Sequence, residues 1–373
     1  MNTQSIFRIS KPALTSAAAL IAMQVGASAY AAEDDKTVTA KLSGQINRGV
    51  LFADNGTDSD VIHVDNDNSS TRFRFVGEGN FSESSTVGIT WESQFESNST
   101  ANVDINQNND GSSDFTERKL ELWYKGDWGK LSVGQGDGAA NGTSEMDLSG
   151  TSVVMYSGIG DAMGGISFKT DDGAYFGAPD DTGAAGRVRI KNVFSDFDGL
   201  SRNDRLRYDT PALGPIGLAI STTNGDAIEL TGRLAQDVGA GSRVEAALGW
   251  VDGGDRSAFE QLGGSLSFLH DSGFNATVAF GNRDFDEGGR EADNAYLKLG
   301  YNAGAHRFAI DFASTDDLSQ DGDEFESVGL GWNWRHSNSV EIYAIFRTHR
   351  LDRPGVNVDD VNGVLIGSRV KFL

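Results

Sequence analysis

The chain has no cysteine and only 5 prolines among 373 residues. Without cysteine there is no disulfide scaffold, no thiolate zinc site and no cysteine nucleophile. So little proline, with no three-residue glycine period, excludes both collagen and a proline-rich disordered chain. Basic charge is scarce: 31 Lys and Arg stand against 54 Asp and Glu, a formal charge of −23. A nucleic-acid binder needs a basic footprint, so no nucleic-acid partner is expected. Catalytic signatures are missing too. No G-x-S-x-G elbow, P-loop, H-E-x-x-H or G-x-G-x-x-G occurs. The five histidines (His63, His270, His306, His336, His349) lack ligand spacing, so neither a metal nor a cofactor is expected.

Long apolar runs are confined to the N-terminus. Arg8 and Lys11 precede an Ala-rich apolar stretch, and small residues follow in Gly26-Ala27-Ser28-Ala29-Tyr30-Ala31. This reads as an export signal over 1–31, cleaved after Ala29 or Ala31. The stretch falls short of the ~20 residues that span a bilayer. Beyond it, no run reaches the ~18 apolar residues of a transmembrane helix. Membrane strands stay open, because they need only ~9–11 residues with every second one apolar.

What is abundant is glycine, with 47 residues, about twice the usual share. That suits many turns and strands that must curve. Period-two alternation fills the chain after the signal. Val87, Ile89, Trp91 and Phe95 alternate with Gly88, Thr90, Glu92, Gln94 and Glu96. Val328, Leu330, Trp332 and Trp334 alternate with Gly329, Gly331, Asn333 and Arg335. Period two places one set on each face of a sheet, whereas a helix would repeat at 3.6. About sixteen such strands can be placed, an even number as in bacterial outer-membrane barrels. Short turns such as Ser82-Glu83-Ser84 and His336-Ser337 alternate with longer polar connections, among them 53–69, 98–113 and 136–203. The expected fold class is all-β: a transmembrane antiparallel up-and-down barrel over 32–373. A soluble sandwich or propeller is the rival, but charged residues along one face and Trp, Phe and Tyr near strand ends favour the barrel.

Several segments carry a family likeness. They are Leu42-Ser43-Gly44-Gln45-Ile46-Asn47-Arg48, Ser70-Thr71-Arg72-Phe73-Arg74-Phe75, Gly129-Lys130-Leu131-Ser132-Val133-Gly134-Gln135 and Arg205-Leu206-Arg207-Tyr208-Asp209-Thr210-Pro211. In this order the chain resembles the Gram-negative general porins, the trimeric sixteen-stranded diffusion channels. The resemblance implies a homotrimer in the outer membrane of a Gram-negative bacterium. Its partners would be outer-membrane lipid and lipopolysaccharide, and small hydrophilic solutes would cross it. It also implies that the loop after the fifth strand, 136–203, folds inward, and that 98–113 reaches over a neighbouring subunit. The chain ends Phe372-Leu373, one residue past the aromatic on which that family usually ends.

The loop is far longer than the ~12–15 residues beyond which a loop is usually functional or disordered. Glu145, Asp147 and Asp161 in its first half are expected to form the acidic side of a constriction. Strand parity turns Lys41, Arg72, Arg74, Lys119, Arg205 and Arg207 inward, because Leu42, Phe73, Phe75, Leu120, Leu206 and Tyr208 take the lipid side. A charge facing mid-bilayer lipid costs roughly 2–4 kcal/mol, which favours that assignment. Arg48 breaks the rule, sharing parity with Ile46 and Val50. The net acidity suggests a weak cation preference. A substrate-specific channel is the closest alternative to a general one. A barrel enzyme or an adhesin is the more distant alternative.

Overall fold

The computed structural model describes residues 38–107, 113–178, 186–239 and 241–372. The expected signal at 1–31 and the final Leu373 lie outside the described residues. The first strands are β1 (Val38–Asp54), β2 (Ser59–Asp65), β3 (Arg72–Ser82), β4 (Ser85–Ser97), β5 (Ser113–Gly126) and β6 (Gly129–Asp137). After the long loop come β7 (Arg202–Asp209), β8 (Ile216–Thr223), β9 (Ile228–Asp237), β10 (Arg243–Asp252) and β11 (Phe259–Leu269). The wall is completed by β12 (Phe274–Phe285), β13 (Glu291–Ala303), β14 (His306–Asp316), β15 (Glu324–Arg335), β16 (Val340–Asp352) and β17 (Val361–Phe372).

From β3 onward each strand pairs antiparallel with the next, and β17 pairs back onto β1, from Gly44 opposite Phe372 to Asp54 opposite Asn362. The sheet is therefore a closed barrel of 16 strand positions. Closure satisfies every backbone ladder without a free edge, which is what a lipid environment demands. Seventeen segments fill 16 positions because the second strand is interrupted. β2 pairs with the upper half of β1, Arg48 to Asp54, and β3 with the lower half, Val38 to Gln45. Between them residues 66–71 leave the wall and make one short 3-10 turn over Asp67–Ser69. This corrects the expectation of a long loop at 53–69. The polar run Asp65-Asn66-Asp67-Asn68 is a knuckle within a strand, and the outer turn is only 55–58.

The outer face is apolar. Leu122, Val133, Phe280, Phe312, Leu330 and Ile366 all project from it. Aromatic residues gather at the end that carries the short turns. Phe81 meets Tyr124, Trp128 stacks on Tyr208, and His306 lies between Trp332 and Trp334. Amphipathic rings at that level suit a membrane–water interface.

A hydrophobic core lies inside the barrel. Leu51, Ile62, Val64, Phe325, Ile345, Leu351 and Leu365 point inward from β1, β2 and β15–β17. Against them pack Val153, Met155, Ile159, Met163, Ile166, Phe168, Ile190 and Phe194 from the long loop. Burying such side chains stabilises by roughly 1.5–3 kcal/mol each, enough to hold a loop against a wall. Glycine marks the track. A Cβ on Gly281 would fall 2.5 Å from the Phe197 ring, and one on Gly363 would fall 2.4 Å from Met163 Sδ. Some of the glycine surplus thus serves close approach of loop to wall, beyond turns and curvature.

Candidate functional site

The loop leaves β6 after Asp137 and rejoins the wall at Arg202. Its backbone is pinned by inward-facing side chains along the way. Ser221 Oγ accepts from the Ala139 N–H at 2.8 Å, and Ser265 Oγ and Ser267 Oγ accept from Met146 and Leu148, both at 2.9 Å. Asn333 donates to the Gly150 carbonyl at 3.0 Å, and Asn66 of the knuckle donates to Val153 O at 2.8 Å. The loop therefore sweeps past β8, β11 and β15 to the second strand. On its return, Gln261 donates to Phe197 O at 2.6 Å and Glu229 accepts from the Leu200 N–H at 2.8 Å.

The loop leaves open a cavity of about 750 Å³ on the side of β3–β5 and β7. Its walls are charged. The carboxylates at its edge are Glu145, Asp161, Asp196 and Asp198 of the loop and Asp67 of the knuckle. The cations are Arg72, Arg118, Lys191, Arg202, Arg283 and Arg369. Among the described residues, none of these five acids makes a salt bridge. Asp161 instead accepts from Tyr156 Oη, and Asp198 accepts from the N–H groups of Gly142 and Ser144. Burial, reinforced by Asp198, Asp196 and Asp161, pushes the Glu145 carboxyl well above its ordinary range. Asp196 rises likewise through burial and the nearness of Asp198 and Asp161. Burial and Asp67 raise Asp161 to about 7. Asp198 is pushed up to about 6, because burial outweighs its two backbone N–H bonds. Desolvation and like charge both favour the neutral acid, and here they act together.

The expected site residues divide. Glu145, Asp161 and Arg72 meet at the cavity. Asp147 does not line it: its carboxylate turns to the wall and pairs with fully buried Lys298 of β13. Arg74 pairs with Glu92, and Lys119 pairs with Asp137. Arg205 is held by Glu121 and by the carbonyls of Gly134 and Asp137, at 3.0 Å each. Arg207 is paired with Asp209 at 2.7 Å. These last three basic side chains, with Asp137 and Asp209, surround a smaller cavity beside the short turn 210–215. Lys41 is exposed at the inward parity of β1, outside the central cavity.

The residues missed by sequence reasoning have identifiable reasons. Arg283 and Arg369 follow simple parity, in step with Gly281 and Gly367. Arg118 was hidden by a bulge: Glu92 opposes Lys119 while Ser93 opposes Glu117, so Arg118 is the extra residue. Its guanidinium reaches Glu92 at 2.8 Å and Gln94 at 2.5 Å. Asp67 could be found only by recognising the knuckle. Arg48 does face outward, and it pairs with nearly buried Asp65 at 2.5 Å where the second strand breaks. The segment 98–113 also makes contacts within this chain. Its described part folds over this chain's own loop: Thr100 donates to Asp161 O, and buried Asp104 accepts from Ser167 Oγ at 2.6 Å and from Arg187 at 3.0 Å. Residues 108–112 lie outside the described residues.

A family model described as Gram-negative porin matches residues 14–354. No curated protein sequence matches. Among solved structures, the anion-selective porin from Comamonas acidovorans aligns with a TM-score of 0.60 at 14% identity, covering 90% of this chain and 100% of that one. OmpF of Salmonella typhi in complex with daunomycin gives 0.57 at 13%, covering 89% and 97%. The trimer form of OmpT, an outer membrane protein of Vibrio cholerae, gives 0.56 at 13%, covering 90% and 100%.

Proposed function

Because this chain belongs to the Gram-negative porin family, we propose that its long loop is the selective constriction of a water-filled pore for small hydrophilic solutes. The protein is an outer-membrane channel for passive diffusion. One observation supports the constriction. The loop is bonded to the inner wall from Ser221 to Asn333 and leaves one central cavity edged by charged side chains. Such a passage holds ordered water. A polar solute can exchange that water for wall contacts, whereas an apolar one cannot. Its selectivity comes from the carboxylates and guanidinium groups around that cavity rather than from the chain's total charge.

Residues 1–31 are read as the export signal and 32–373 as the mature barrel. The channel is read as non-enzymatic, since the sequence carries none of the catalytic signatures sought. A homotrimer is the assembly that suits the outer face. There the Arg48–Asp65 pair interrupts the apolar surface around Ile46, Val50 and Phe95. Contact with another subunit would take this ion pair out of contact with lipid, where charged groups are unfavourable.

Incorporation of the mature chain into planar bilayers tests this. Stepwise, ohmic conductance is expected, with liposome uptake of neutral sugars falling steeply with size. Folded protein that leaves the bilayer silent would overturn it.

A further inference from the structure

Away from the constriction, the short-turn end of β3–β6 turns an indole toward the lumen. Trp123 of β5 stands at inward parity, in step with Glu121, while Leu120 and Leu122 project to the lipid side. The inward ring of Phe325 is covered by aromatic rings of the long loop. Trp123 is packed against its own wall instead. Gly88 opposes it across the β4–β5 ladder, and a Cβ there would overlap the indole, so the ring lies over bare backbone. Lys130 Nζ stands over the ring, 5.4 Å from its centroid. The indole is buried by this packing, and Lys130 is the flexible part of its cover. Glu121 and Asp209 lie close to Lys130, so its ammonium has carboxylates to turn to when it leaves the ring.

Beside the ring lies a cavity of about 770 Å³, lined by strands and short turns and sharing no residue with the central one. Its size falls among small-molecule sites, which span roughly 300–1,000 Å³. Glu78, Thr90, Lys125 and Lys130 converge on it with Trp123. Among the described residues, the side chains of Glu78, Thr90 and Lys125 are engaged in no hydrogen bond or ion pair. An aromatic face beside free donors and acceptors is the chemistry that recognises a pyranose. The C–H face of the sugar ring lies on the electron-rich face of the indole. The hydroxyls around its edge give and take hydrogen bonds. A simple ion lacks the first contact, and an apolar ring lacks the second.

We propose that the periplasmic mouth of this channel carries a pyranose subsite, in which Trp123 stacks on a sugar ring and Glu78, Thr90 and Lys125 bond its hydroxyls. Lys130 swings from the indole toward Glu121 or Asp209 to admit the ring. The inference rests on the reading of the barrel as an open channel and is independent of the charges at the constriction. Short turns mark the periplasmic end of such a barrel. A weak site there holds a passing sugar without stopping its transit, because conduction needs binding loose enough to release.

The test is the KCl conductance of the mature channel in planar bilayers as glucose or sorbitol is added to both sides. Sorbitol carries a comparable set of hydroxyls without a ring, so it reproduces viscosity and hydrogen bonding but not stacking. Glucose is expected to reduce the current saturably, with sorbitol giving only a shallow linear fall. Trp123→Ala should weaken the glucose effect about fivefold or more. Trp123→Phe, which keeps an aromatic face, should retain most of it. Glu78→Gln/Lys125→Gln, at exposed positions, should weaken it several-fold and keeps the test open if Trp123→Ala fails to insert. Trp128→Phe serves as the control and should behave as the parent, because Trp128 lies at the same end but stacks on Tyr208. A glucose effect that does not saturate in the parent overturns the inference while leaving the channel reading intact. So does equal saturation by sorbitol, or a glucose effect that the Trp123 and Glu78/Lys125 variants leave unchanged. A folded protein without conductance instead overturns the channel reading on which the inference stands.

Discussion

The inner wall has two halves built from the same alternating strands. Over β3–β7 the inward positions carry Arg72, Arg74, Glu92, Lys119, Glu121, Arg205 and Arg207. Over β15–β17, β1 and β2 they carry Phe325, Ile345, Leu351, Leu365, Leu51, Ile62 and Val64. Parity decides only which face a side chain takes. What waits on that face decides its chemistry. On the first half it is water and opposite charge. On the second it is the apolar side of the loop at those positions, although Asn47, Glu341, Arg347 and Arg369 keep polar and charged groups on the same inner face. The loop is thus held as firmly as a core element, and the pore is displaced toward the charged half.

Removing the apolar anchor should have the largest effect. Phe325 touches Phe168 and Phe194 of the loop at ring separations of 6.5 and 5.6 Å. Phe325→Ala should cost about 3–5 kcal/mol of loop docking. Single-channel recordings should then show higher, noisier conductance while the barrel stays folded. The next effect comes from the buried pair. Asp147→Asn leaves fully buried Lys298 without its counter-ion, a loss of up to about 3–5 kcal/mol. Limited proteolysis should cut the loop faster in this variant. A Lys298→Met/Asp147→Leu double variant should recover much of the protection.

Acidity sharpens the contrast more gently, because it acts on the charged half alone. Asp161 and Asp198 titrate near 7 and 6, above their ordinary range. The folded loop therefore binds protons more tightly than the unfolded chain does. Its docking should strengthen as pH falls through 7 and 6 toward the normal carboxylate range near 4, and weaken as pH rises again. In the same window the carboxylate charge of Asp161 and Asp198 falls, so the preference for potassium over chloride should decrease from pH 8 to pH 5. Reversal potentials across that range check the direction, and a growing potassium preference would refute it. Smallest is Gly363→Ala, whose added carbon meets Met163 Sδ and Phe52 O. It should shift the loop slightly and change conductance by less than a factor of two, with no change in ion preference.

Most of the wall was legible in the alternation. The alternating runs Val87 to Glu96 and Val328 to Arg335 lie within β4 and β15. The interruption of the second strand was not legible. Asp and Asn mark a loop locally, and only pairing to β1 shows that Ser59–Asp65 continues the wall. The site was half legible. Glu145, Asp161 and Arg72 were found by type and parity. Asp147 was misplaced because a carboxylate in a loop carries no sign of whether it faces water or a buried lysine. Of the expected basic residues only Arg72 lines the central cavity, while Lys119, Arg205 and Arg207 line the smaller one and have acids of their own nearby. The inner hydrophobic core left a trace that alternation alone could not interpret. Leu51, Phe325 and Leu365 stand at inward parity where a pore would want polar groups, and only contact with the loop explains them.

The most direct test of the loop as constriction is to replace residues 145–196 by a flexible Gly-Ser linker and compare single-channel conductance with the parent in identical salt. The account predicts a several-fold rise in conductance with loss of pH-dependent selectivity. Unchanged conductance from an equally well-folded barrel would contradict it, because the narrow point would then lie elsewhere in the pore.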